Sequence, residues 1–190
     1  MKLYKVAFVG SSGVGKTSIA LETKRNRYKA TILALHRKSL TVDSVVLAMD
    51  ILDTSGSQEF VSIRDDAIKA SDGFIVVYSI ISGDSFKSIS KMKNVIKALK
   101  GLEAFPVVLV ANKLDLERHR EVPRFEGETL AGEWGCPFFE TFVSEERLPV
   151  VYEALVRQMN KSIAIVFEDV GQQPKEPVVG QKKECTCVII

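Results

Sequence analysis

Gly10, Gly15, Lys16 and Thr17 fall in the spacing G-x-x-x-x-G-K-[ST], within the stretch GSSGVGKT. Glycines let successive backbone N–H groups converge on a concave face, an ammonium adds a full positive charge, and a hydroxyl suits a divalent cation. Phosphate oxygens are what such a cradle holds, with Mg2+ as their companion. The apolar run YKVAFV precedes the loop and SIALETKR follows it, the strand-before and helix-after context that the pattern requires. The competing explanation is an accidental glycine-rich turn. The candidate phosphate site is the whole run Gly10, Ser11, Ser12, Gly13, Val14, Gly15, Lys16, Thr17 and Ser18.

The loop alone names no base. Asn112-Lys113-Leu114-Asp115 narrows the choice, because it directly follows the strand-like PVVLVA, at the sheet end where ligands of α/β folds bind. A carboxylate at Asp115 can accept hydrogen bonds from both N1 and N2 of guanine, which adenine does not offer. Taken alone, NKLD also fits a solvated turn. Between the two motifs, Asp53-Thr54-Ser55-Gly56 ends the strand-like MDIL. Asp53 there can hold Mg2+ through water, and the Gly56 N–H can turn toward a terminal phosphate.

Elements must bring these three segments together. Strands are expected over residues 3–9, 36–43, 45–52, 73–80, 106–111 and 137–141, and helices over 16–26, 62–70, 85–100, 124–134 and 145–166. Runs such as FIVVYSI are apolar on both faces, as strands covered on both sides by helices must be. The alternation specifies an α/β fold, a doubly wound, mostly parallel six-stranded sheet. One antiparallel edge is expected where Val42-Asp43-Ser44-Val45 leaves room only for a tight turn. The 190 residues divide into one domain over 1–167 and a flexible tail over 168–190, where DVGQQPKEPVVGQKKE has no face to bury.

Bulk composition excludes several classes. A net charge of +2 gives no reason to expect nucleic acid, and no apolar run approaches the roughly 18 residues that span a bilayer. Cys136, Cys185 and Cys187 cannot build a disulfide framework, and a cytosolic chain is expected.

With GSSGVGKT, LDTSG and NKLD in this order, the chain resembles the small GTPases of the Ras superfamily, over residues 3–166 and again at the terminal CVII. Leu52 before the Asp, the run NKLDL and CVII are most similar to the Ras subfamily. The resemblance implies a P-loop NTPase G domain that binds GTP and GDP with Mg2+ and hydrolyses GTP. It implies partners as well: effectors, an exchange factor and a GTPase-activating protein. By the same resemblance Tyr28 takes the place of the aromatic on the guanine edge and Lys113 flanks the other face. Their plainer alternatives are a half-buried Tyr and a surface Lys. Lys16 is implied in catalysis, and Thr17, Thr31 and Asp53 as the Mg2+ set.

Four departures from the family pattern stand out. Ser12 replaces the usual Gly beside the γ-phosphate. Ser57 stands where the family has the Gln that orients the attacking water, and Gln58 comes one residue late. Only Lys29 and Ala30 separate Tyr28 from Thr31, so the first switch is short, and Thr31 is the best match to the threonine that caps Mg2+. The following Ile32-Leu33-Ala34-Leu35 lacks the family's acidic effector residues, and can also be read as a buried start of the edge strand. Glu140-Thr141-Phe142-Val143-Ser144 stands at ETSAK, so the Val143 N–H can still meet the guanine carbonyl without the usual side-chain support from Ser and Lys. Phe142 and Ser144 are the flanking site residues.

Cys187-Val188-Ile189-Ile190 is a C-a-a-X ending, expected to carry a prenyl group, with Cys185 as an acylation site. One prenyl chain anchors only marginally, and Lys182 and Lys183 beside Glu184 are a weak basic patch, so the second lipid matters. The expectation is a switch on the cytosolic face of a membrane, with slow hydrolysis by a site built from Lys16, Ser57 and Gln58. A non-hydrolysing scaffold with the same fold is the rival, and a small-molecule P-loop kinase a distant third.

Overall fold

The computed structural model describes residues 2–22, 30–142 and 148–170. Its sheet has the order β2-β3-β1-β4-β5-β6, with β1 Lys2–Val9, β2 Leu33–Val42, β3 Val45–Thr54, β4 Gly73–Ser79, β5 Val107–Asn112 and β6 Phe138–Glu140. All pairings are parallel except β2 with β3, the expected antiparallel edge. The hairpin closes with Val42 opposite Val45, and Asp43 (φ 49°) and Ser44 (φ 65°) are both left-handed, as a two-residue turn of the primed kind requires.

Among the described residues, six α-helices flank the sheet: α1 Lys16–Ala20, α2 Val61–Ala70, α3 Gly83–Ser90, α4 Met92–Lys100, α5 Arg124–Trp134 and α6 Leu148–Val170. Alternation along β1 sets the two cores. Val6 and Phe8 bury against Ile19, Tyr152 and Leu155 of α1 and α6. Ala7 and Val9 face the layer that holds Ile68, Ile96 and Leu130 of α2, α4 and α5. With both faces covered, ligands are left the strand ends. Phe8 pairs with Asp53, Val9 with Val76 and Ser79 with Asn112, so Gly10, Asp53 and Asn112 emerge along one rim.

Several expectations need correction. The helix read over 85–100 is two, with Lys91 between them. Helix α1 stops at Ala20, not 26. Strand β2 begins at Leu33 rather than 36, and the ladder goes one rung further, since Ser55 N donates to Ile32 O at 2.8 Å. Ile32, Leu33 and Leu35 are 49%, 47% and 61% exposed, which overturns the reading of this segment as buried. Helix α6 runs to Val170, three residues into the segment assigned to the tail, because nothing before Gly171 breaks it. No helix among the described residues is long and apolar enough to cross a membrane.

Candidate functional site

The loop between β1 and α1 folds around its lysine. Lys16 is buried, and its Nζ donates to the carbonyls of Gly10 and Ser11 at 2.8 Å each. Burial pushes its ammonium down to about 8, an effect that the Asp53 carboxylate partly offsets. Gly15 has φ 98° and precedes the helix; a Cβ there would lie 2.3 Å from Asn112 Nδ2. That amide donates to Val14 O at 2.8 Å, so Asn112, read from sequence as a base contact, also fastens the phosphate loop to the end of β5. Ser12 and Gly13 are exposed, Ser18 half-buried.

The second cluster is made of oxygens. Thr17 Oγ1 donates to Asp53 Oδ2 at 2.5 Å and lies 3.1 Å from Thr31 Oγ1. The shortened first switch therefore still brings Thr31 beside Thr17, because the β2–β3 ladder carries the chain to the neighbouring Ile32. A carboxylate and two hydroxyls gathered this closely are a hard donor set that fits Mg2+. Thr17, Thr31 and Asp53 would hold the ion, which would supply positive charge beside the phosphates of a bound nucleotide.

Gly56 approaches the phosphate loop more closely than any side chain allows: a Cβ on it would lie 2.2 Å from both Ser11 C and Ser12 N. Beyond it, Ser57 caps a 3₁₀ turn over Gln58–Phe60, its Oγ accepting from Glu59 N at 3.4 Å while its own N–H donates to Ser55 Oγ at 3.1 Å. Gln58, the first residue of that turn, is exposed.

At the base end, Lys113 is left-handed (φ 70°) and half-buried, with burial lowering its ammonium pKa and exposed Asp115 opposing the shift. A 3₁₀ segment over Leu114–His119 follows, which sequence reading did not anticipate. Leu114 N donates to Thr141 O at 3.1 Å, and Thr141 N to Ala111 O at 2.8 Å, so the end of β6 lies against NKLD. Phe142 is half-buried there, and its carbonyl accepts from Thr141 Oγ1 at 3.0 Å. Tyr28, Val143, Ser144, Cys185 and Cys187 lie outside the described residues.

Sequence reading also missed Arg120. Its nitrogens reach Glu117, Glu140 and the Val122 carbonyl. Glu117 three residues earlier was a visible hint; Glu140, twenty residues away at the end of β6, was not.

Compared with known proteins, the sequence model of the Ras family matches residues 5–161. The chain belongs to the Ras family. Ras-like protein 2 of Mucor circinelloides f. lusitanicus is 37% identical over 167 residues, which cover 85% of this chain and 84% of that protein. Ras-like protein rasC of Dictyostelium discoideum is 34% identical over 195 residues, 100% of this chain and 99% of that protein. The chain is thus a Ras-like GTP-binding signalling protein with the P-loop GTPase fold.

Proposed function

We propose that this Ras-family protein is a membrane-anchored guanine-nucleotide switch that hydrolyses GTP slowly and rests largely in the triphosphate form. Ser57 carries the slow-hydrolysis reading. It stands directly after Gly56, its side chain is too short to reach both an attacking water and a γ-phosphate, and its hydroxyl already caps the following turn. Phosphoryl transfer by this fold depends on positioning and electrostatics, and even with the Gln it proceeds unaided at only about 10⁻⁴ s⁻¹. Ser12 adds bulk beside the loop, where an activating protein's arginine would enter; that blunts the acceleration of about 10⁵ such a partner supplies. Lys16 and the phosphate-loop amides hold the nucleotide, and Asp115 reads guanine. Thr17, Thr31 and Asp53 hold Mg2+.

Membrane anchoring rests on the ending Cys187-Val188-Ile189-Ile190, with Cys185 as the second lipid site.

Single-turnover phosphate release from GTP-loaded protein tests the hydrolysis claim. The expected order is slow wild type, faster Ser57→Gln, and Gln58→Ala unchanged. A wild type as fast as a Gln-bearing Ras protein, and silenced by Gln58→Ala, would mean that the neighbouring Gln does the work.

A further inference from the structure

An ionic clasp joins the two chain segments that border the base end of the site. Arg120 is 17% exposed at its side chain and makes four hydrogen bonds. Its Nε and Nη2 donate to the two carboxylate oxygens of Glu117 at 2.8 and 2.6 Å, and its Nη1 donates to Glu140 Oε1 at 2.7 Å and Val122 O at 3.0 Å. Glu117 lies in the 3₁₀ segment that contains Asp115. Glu140 ends β6, immediately before Thr141. A closed circuit results: from Asp115 along the chain to Glu117, through the guanidinium to Glu140, on to Thr141, and back through its carbonyl to Leu114 N at 3.1 Å. The Glu140 side chain is only 6% exposed, and its other cation, Arg124 Nη1, stands at 3.6 Å.

We propose that Arg120 is a positioning residue for guanine, holding the NKLD turn and the Thr141–Phe142 segment at the spacing that base contacts need. The inference rests on the guanine-nucleotide reading above. Its physical basis is the planar fork of arginine, which fixes two carboxylates in one geometry where a lysine would supply only a point charge. In this chain Phe142-Val143-Ser144 lacks the side chains that support the base loop in relatives of the ETSAK type. Without Arg120, the Glu140 carboxylate keeps only Arg124 at 3.6 Å, a solvent-exposed and therefore weak partner, and its strand end moves to reach water. The phosphate loop is tied to the strand side of the NKLD turn, where buried Asn112 at the end of β5 donates from Nδ2 to Val14 O, and from within by Lys16, and neither contact involves the clasp. The loss should therefore register on the base rather than on the phosphates.

Release of GDP and of inosine diphosphate, whose base lacks the 2-amino group, separates positioning from general support of the fold. From Arg120→Ala, GDP should leave on the order of tenfold faster than from wild type, since loosened base contacts weaken the complex and most affinity changes within one interface appear in the off-rate. Inosine diphosphate should accelerate by a smaller factor, so that discrimination between the two shrinks. Arg120→Lys, which keeps the charge and loses the fork, should fall between wild type and Arg120→Ala, and serves as the test variant if the alanine form does not fold. The further acceleration caused by chelating Mg2+ should equal that of wild type. Unchanged GDP release, or equal factors for both nucleotides, would overturn the proposal while leaving guanine binding intact. A wild type that binds no guanine nucleotide would overturn the reading beneath it.

Discussion

Asp115 is an exposed carboxylate beside the half-buried ammonium of Lys113, whose pKa burial lowers and Asp115 partly restores. In the proposed site its two oxygens face two guanine donors, each worth about 1.5–3 kcal/mol as a charge-assisted hydrogen bond. Asp115→Asn should therefore weaken guanine nucleotide by about 10²–10⁴-fold, by the same arithmetic. The variant should gain xanthine nucleotide, whose extra carbonyl accepts from the new amide. Titration of fluorescent guanine, adenine and xanthine nucleotides checks both statements, and wild-type binding of adenine as tight as guanine would refute the base assignment. The phosphate-loop and NKLD residues were legible in the sequence because each motif carries its own flanking elements. Asn112's second task was not, since its Val14 partner lies 98 residues away.

At the scale of elements, the hairpin turn offers the cleanest measurement. Ser44 is left-handed with a side chain, which costs about 1–2 kcal/mol, whereas glycine there costs about 0.5–1 kcal/mol in extra unfolded-chain entropy. Ser44→Gly should stabilise the protein by about 0.5–1 kcal/mol and raise Tm by about 2 °C; a lower Tm in thermal unfolding would contradict the turn geometry. Strand β2 carries a prediction about partners. Ile32, Leu33 and Leu35 are exposed apolar side chains followed by Arg37, so a Ras-binding domain that meets its target through a basic surface should bind poorly. A pull-down with the triphosphate-loaded protein tests this, and retention equal to that of an acidic Ras-type first switch would refute it. That exposure was not legible, because an apolar stretch in an edge strand reads alike whether or not a helix covers it. The break at Lys91 was hidden for a related reason. Ile89, Met92 and Ile96 keep the helical interval and all bury in one core, so the apolar stripe runs through the interruption. Only Ser90, whose hydroxyl donates to Lys87 O at 2.8 Å, marks the competing local bond.

For the whole molecule, location and switching are the open quantities. Cys187→Ser should move the protein from membranes to the cytosol, whereas Cys185→Ser should shorten residence and leave prenylation in place; imaging both variants, with a lipid-labelling assay, decides the matter. If Cys187→Ser stays on membranes, the prenyl group is not the anchor. Switching can be followed at a single amide. The last rung of the β2–β3 ladder is Ser55 N–H to Ile32 O, one residue from Thr31. Any excursion of Thr31 away from Thr17 loosens that rung and exposes the Ser55 proton to solvent. Hydrogen–deuterium exchange at Ser55 thus makes the ladder's end a built-in reporter: rapid exchange with GDP and slow exchange with a GTP analogue describe a switch, and identical protection in both describes a scaffold.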